Sequence, residues 1–318
     1  MLELQMEILK FIGRLRTPLF AEIFSLITRL GEEIAFMAVG MIVFWCVDKF
    51  SGYYVLCGGF FGTLLNQFLK ITFRIPRPWV LDPSFKIVES ARQAASGYSF
   101  PSGHTQTSVG LFGSLSKLAK KRRLKILFVI PCVLVPLSRM YLGVHTPLDV
   151  AVSAVTALII VFGFYPLFKK AEQSPKTMYI ILGALSAVTA AYLAFVTLYK
   201  FPSEVYLPEN IENLHSAQEN AFTLLGCLFG LITVYFVDCK YIKFETKAVW
   251  WAQIIKVIFG LGLVVAAKEL LRSPLESVCG NVLVARLVRY YIMVLVGGIL
   301  WPLSFKFFSK LGRKKEEN

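Results

Sequence analysis

Apolar residues in this chain come in long runs separated by short polar connections that hold most of the charge. A membrane-spanning helix requires roughly 17 to 25 predominantly apolar residues. Residues 34–47, 53–69, 102–118, 126–142, 147–168, 177–199, 221–237, 248–267 and 288–305 are read as about nine such spans. The expected fold class is therefore all-α, a polytopic membrane helical bundle. The first 30 residues differ: Glu3, Glu7, Lys10, Arg14, Arg16, Glu22 and Arg29 recur at partly helical spacing, and Pro18 divides the stretch. That pattern predicts two short amphipathic helices at the membrane interface. From 71 to 100 the chain turns polar and carries Pro76, Pro78 and Pro83, which predicts a loop with one helical turn near 88–93.

Composition sharpens the membrane reading, with 56% hydrophobic residues and a mean hydropathy of +0.62. The net charge of +14, from 34 Lys plus Arg against 20 Asp plus Glu, would suit a nucleic-acid partner. The positions argue against one, because the cations fall in short connections and form no basic face interleaved with aromatics. The densest cluster, Lys117, Lys120, Lys121, Arg122, Arg123 and Lys125, is read as cytoplasmic. Counting spans from it puts the acidic loop 200–220, with Glu204, Glu209, Glu212 and Glu219, outside. The tail, with Lys306, Lys310, Arg313, Lys314 and Lys315, falls inside. Six cysteines without a CxxC pattern read as small apolar residues, neither zinc ligands nor a disulfide framework. The N-terminus has no basic region ahead of a compact apolar core, so no cleavable signal peptide is expected.

Three polar clusters interrupt the apolar pattern, and the span count carries all three to the non-cytoplasmic face. The first runs from Lys70 to Pro78 and offers Lys70, Arg74 and Arg77, either as phosphate ligands or as interface markers that meet lipid head groups. In the second, Pro101-Ser102-Gly103-His104, Ser102 reads as a helix N-cap. Backbone amides there, with Gly103 allowing close approach, would form an anion site; the alternative is a plain cap beside an interfacial histidine. The third holds Ser138-Arg139, His145 and Asp149. Four residues, about one helical turn, separate His145 from Asp149, so the carboxylate can reach the imidazole, fix its tautomer and stabilise its cation. Thr146, Pro147 and Asp149 also read as a helix start. Arg139 is either a further phosphate ligand or a snorkelling interface residue. Elsewhere His215 is read as solvated, Lys256 as snorkelling and Trp79 as an interfacial anchor.

Taken together, Lys-x6-Arg-Pro, Pro-Ser-Gly-His and Ser-Arg-x5-His-x3-Asp resemble the three signatures of the type 2 phosphatidic acid phosphatase (PAP2) family, which also includes vanadium-dependent haloperoxidases and bacterial acid phosphatases. The resemblance covers the helical region from about Tyr53 to Phe168, and with the charge pattern the chain is expected to divide into an interfacial segment (1–33), a PAP2-like catalytic core (34–170), and additional spans with a basic tail (171–318). Those last spans resemble a longer membrane branch that includes sphingosine-phosphate phosphatase-like enzymes. The resemblance implies His145 as the nucleophile forming a phosphohistidine, Asp149 as its orienting partner and His104 as the acid that protonates the leaving alkoxide. Lys70, Arg77, Ser102, Gly103 and Arg139 would hold the phosphoryl oxygens, without a divalent metal or other cofactor. The expected function is hydrolysis of a lipid phosphate monoester or diphosphate at the outer face, with membrane lipids as surroundings. Alternatives are phosphoryl transfer to another lipid, and a lipid-phosphate transporter or binding protein whose histidines only bind. Short loops and compact length favour a bacterial plasma membrane over endoplasmic reticulum; the sequence leaves the oligomeric state and the identity of the lipid open.

Overall fold

A computed structural model describes residues 2–200 and 208–311, and every regular element among them is helical. In chain order the longer helices are α1 (Leu2–Arg14), α2 (Pro18–Thr28), α3 (Glu33–Ile42), α4 (Lys49–Phe73), α5 (Gly103–Leu118), α6 (Arg122–Tyr141), α7 (Pro147–Gln173), α8 (Pro175–Leu198), α9 (Pro208–Val237), α10 (Trp250–Leu270), α11 (Arg272–Cys279) and α12 (Val282–Leu295). The polar stretch after α4 is mostly loop, with single turns at Pro78–Leu81 and Glu89–Ala91.

Among the described residues, five helices are long and apolar enough to cross a membrane: Arg122–Tyr141, Pro147–Gln173, Pro175–Leu198, Glu209–Ile242 and Val282–Lys310. A bent pair, Pro18–Gly31 with Glu33–Val47, broken by 52°, would make a sixth. These fall short of the nine expected. Helix α5 has only 16 residues, and it buries Thr105, Gln106, Ser108 and Ser114. Helix α4 carries Asn66, Gln67 and Lys70 toward its C-terminal end, and Asn66 is buried. Polar side chains packed among neighbouring helices lower the hydropathy of a helix without exposing them to lipid. The expected acidic outer loop also changes form, since Glu209, Glu212 and Glu219 lie on α9, while Glu204 lies outside the described residues, as do Arg313, Lys314 and Lys315 of the tail.

The chain divides into two compact units, Met1–Val39 with Tyr54–Lys169, and Gly40–Tyr53 with Lys170–Asn318. In the first, α1 and α2 form where Pro18 and the charge spacing predict them. Thr17 caps α2 by accepting from the Phe20 amide at 3.3 Å. Their inner faces are fastened to the unit. Met6 and Leu9 bury against Phe85, and the Phe24 ring lies 4.4 Å from that of Tyr141. Arg16 Nε donates to the Tyr141 carbonyl at 2.6 Å, and Arg16 Nη1 to that of Lys86. Leu4, Phe11, Leu19 and Leu26 stay exposed on the other side. Gly31 follows, packed so tightly that a Cβ there would come within 2.7 Å of the His104 carbonyl oxygen.

The second unit contains α8 to α12. Gly226 and Gly230, four apart on α9, let α12 approach closely; added Cβ atoms would lie 2.2 Å from the Leu287 carbonyl oxygen and 2.6 Å from the Val294 Cβ. Lys256 does not snorkel as expected. It is fully buried, donates to the carbonyls of Trp45 at 2.9 Å and Thr246 at 3.1 Å, and its ammonium lies 4.0 Å from the centre of the Phe305 ring. Two acceptors and an aromatic face give the ammonium partners inside the bundle that make a route to water unnecessary. His215 is solvated, its Nδ1 3.8 Å from Glu219.

Candidate active site

The turn from α6 to α7 sets the centre of the site. Gly143, at φ +83°, lets the chain reverse after Tyr141, and Thr146 then starts α7. The Thr146 amide donates to Asp149 Oδ2 at 2.8 Å, and the Asp149 amide donates to Thr146 Oγ1 at 3.3 Å, a reciprocal cap at the helix start. The same carboxylate oxygen accepts from Ser99 Oγ at 2.5 Å and lies 3.4 Å from His145 Nδ1. Asp149 is thus both a capping residue and the neighbour of the imidazole, the two compatible roles that the spacing allows. Ser102 caps α5, accepting from the Thr105 amide at 3.4 Å, and its own amide donates to the Asp149 carbonyl at 3.2 Å. The starts of α5 and α7 are therefore tied together, with Gly103 and His104 in the first turn of α5.

The cations of the first cluster reach the same place by way of the loop. Lys70, near the end of α4, donates to the Tyr98 carbonyl at 2.6 Å. Arg77 donates to the carbonyls of Gly97 at 2.9 Å, Ser96 at 2.8 Å and Val144 at 2.9 Å, and its Nη1 lies 2.9 Å from His145 Nε2. Of the five N–H groups on a guanidinium, three are used on backbone and one faces the imidazole. Burial lowers the Arg77 pKa to about 10, against the opposing pull of Asp149. Burial, and then the positive charges of Arg77, Arg139, Lys70 and His104, hold the His145 imidazole well below its ordinary value. A fixed donor at Nε2 and a carboxylate at Nδ1 leave the ring neutral and oriented. Trp79, half-buried, packs on Ala91, Ala95, Leu142 and Val144, with the Arg92 guanidinium 5.0 Å from its ring.

Arg139 is fully buried, which removes the snorkelling alternative. Its Nη1 donates to Thr28 Oγ1 at 3.0 Å, while Nε and Nη2 are buried without a hydrogen-bond partner. His104 Nε2 is buried without one as well. A buried guanidinium N–H left unpaired costs about 1–3 kcal/mol or more, so these nitrogens are suited to an anion that accepts from them.

Comparison with known proteins agrees with the geometry. Residues 51–173 match the model of the PAP2 superfamily, and residues 222–314 match that of the PAP2 superfamily phosphatase transmembrane extension. The chain belongs to the PAP2 superfamily. Mouse sphingosine-1-phosphate phosphatase 1 is 28% identical over 180 residues, 52% of this chain and 41% of that protein. Undecaprenyl-diphosphatase BcrC of Bacillus subtilis (strain 168) is 33% identical over 107 residues, 34% of this chain and 52% of that one. The chain thus spans about half the length of the curated relatives it matches. The crystal structure of Aquifex aeolicus LpxE aligns at 26% identity over 50% of this chain and 92% of that one, with a TM-score of 0.45.

The PAP2 match contains all three polar clusters but leaves out residues 1–50, and it is there that sequence reasoning missed two contributors. Thr28 holds Arg139, and Gly31 lies against His104; neither belongs to a motif, and an amphipathic helix gives no sign of which hydroxyl will meet a buried arginine. Ser99, which donates to Asp149, stands three residues before Ser102 and was detectable only by its nearness to that motif. Replacing Thr28 with valine, which keeps the shape but removes the hydroxyl, is expected to weaken binding of inorganic phosphate by about 10-fold or more, as for loss of a hydrogen bond to a charged group. Thr28→Ser should bind as the native protein does. Calorimetric titration of phosphate into the three proteins checks this.

Proposed function

We propose that this protein hydrolyses a lipid phosphate monoester or diphosphate without a divalent metal, through a phosphohistidine on His145, at the non-cytoplasmic face of the membrane. The observation that carries the reading is the set of unpartnered buried nitrogens, Arg139 Nε and Nη2 and His104 Nε2, around a neutral histidine backed by Asp149. The names of the two relatives point to a lipid monophosphate and a lipid diphosphate, which share a terminal phosphoryl group. The charge count of the connections supports the outer face, and short loops favour a bacterial plasma membrane.

In this mechanism the phosphoryl oxygens lie between Arg139, Arg77, Lys70 and the first-turn amides of α5, where Ser102 and Gly103 leave the backbone approachable. Arg77 Nη1 transfers its hydrogen bond from His145 Nε2 to a phosphoryl oxygen, freeing the Nε2 lone pair. Nε2 attacks phosphorus, the bond from phosphorus to the ester oxygen breaks, and His104 passes a proton to the departing alkoxide. The negative charge of the bound phosphate favours the protonated form of His104 before attack. Asp149, at Nδ1, stabilises the positive charge that develops on the His145 ring. Water then attacks the phosphohistidine and gives a proton to His104; inorganic phosphate leaves and His145 is regenerated.

Rapid quench of the native protein in alkaline denaturant with a phosphorus-labelled lipid phosphate should yield a labelled protein whose label is alkali-stable and is lost on acid treatment; His145→Ala should yield none. Label retained in His145→Ala would refute the nucleophile assignment. His104→Ala should lower turnover of natural alkoxide esters by about 100-fold or more, the usual contribution of a general acid, and affect an aryl phosphate far less. Equal losses on both substrates would remove the general-acid role. Because the His145 pKa is lowered, the reactive neutral ring persists as pH falls below about 6.5, the ordinary imidazole value. The acid limb of kcat/KM due to His145 should therefore lie below pH 6.5, and a pH–rate profile measures it.

A further inference from the structure

A polar cavity lies in the unit formed by Gly40–Tyr53 and Lys170–Asn318, built where α10, α11 and α12 meet α9. Its volume is about 250 Å³. Three of the four cations that line it already have carboxylate partners. Arg286 bonds Glu219, Lys268 lies 3.6 Å from Glu269, and Arg272 lies 3.4 Å from Glu276. Arg289, one turn after Arg286 on α12, has no carboxylate partner among the described residues. It is 92% buried (8% exposed), its Nε is buried without a hydrogen-bond partner, and its guanidinium lies 5.4 Å from the centre of the Tyr290 ring. A cation in this state lacks compensation for the water it has lost.

The surroundings narrow what supplies that compensation. Leu270, Val278, Val282 and Val284, on the segments that frame the cavity, are exposed apolar residues next to a charged interior. Candidate span Val282–Lys310 starts at this cavity. An anionic head group whose tail follows those side chains satisfies both features, whereas a soluble anion satisfies only the first. The volume is below the roughly 300–1,000 Å³ of pockets that enclose a whole drug-sized ligand, which suits a head group with its tail left in lipid. A guanidinium offers two parallel donors to phosphate oxygens.

We propose that this cavity binds the phosphate group of an anionic phospholipid, with Arg289 as its principal ligand and Arg286 and Arg272 as its charged rim. None of the residues that line it belongs to the three polar clusters of the candidate active site, so the proposal does not rest on the proposed function.

The test uses the full chain in detergent, with bound lipid counted by native mass spectrometry during titration with phosphatidylglycerol, with phosphatidylcholine, or with inorganic phosphate as competitor. The native protein should retain phosphatidylglycerol over phosphatidylcholine. Arg289→Gln should weaken retention of phosphatidylglycerol by about 10-fold or more. Glu276→Gln, which frees Arg272, should strengthen it and provides a second readout if Arg289→Gln does not fold. Equal retention of phosphatidylglycerol by native, Arg289→Gln and Glu276→Gln proteins would overturn the proposal. Displacement of the lipid by millimolar inorganic phosphate would overturn the lipid assignment and leave a site for free phosphate.

Discussion

The guanidinium of Arg77 is the constraint on which the first unit depends. It joins three carbonyls from two distant stretches, Ser96 and Gly97 in the loop and Val144 in the turn between α6 and α7, while holding a nitrogen against His145. Without it, the loop of residues 71–100 would have to find other donors for those carbonyls, and the turn bearing the histidine would lose its link to α4. Backbone carbonyls buried away from water need such donors. One side chain thus sets the path of a loop and the environment of the candidate nucleophile.

The same arrangement concentrates positive charge. Lys70, Arg77 and Arg139 act electrostatically on His145, and only Asp149 supplies negative charge among the residues that cap the helix start. Such a cluster is costly when empty, because like charges in a poorly hydrated space repel one another. In the proposed function a bound phosphate would relieve that repulsion, so its affinity would arise from what the fold has already arranged. The neutral state of His145 follows from the same field. A ring surrounded by cations resists a further proton, which keeps its lone pair available.

Both units also rely on side chains remote in sequence to complete their polar groups. In the first, α2 brings Thr28 to Arg139 and Gly31 to the back of His104, so the segment before the matched family region takes part in shaping the site. In the second, Lys256 is held by carbonyls of Trp45 and Thr246, and Trp45 Nε1 in turn donates to the Gly297 carbonyl at 2.9 Å. Buried polar groups of this kind specify which helices meet, because a wrong neighbour would leave them unpaired.

By itself the sequence determined the helical class, the division near Pro18, the cap at Ser102, and the pairing of Thr146 with Asp149 that starts α7. Each of these follows from local chemistry: the lengths of apolar runs, the fixed backbone angle of proline, and hydroxyl or carboxylate groups within a few residues of free amides. Only the tertiary structure decided that Arg77 divides its donors between loop carbonyls and His145, that Arg139 is buried against Thr28, and that Lys256 turns inward. It likewise decided that α5 stops at 16 residues and buries Thr105, Gln106, Ser108 and Ser114. Those outcomes depend on which groups a folded chain brings within 3 Å of one another, and neither hydropathy nor charge spacing records distances between residues a hundred positions apart.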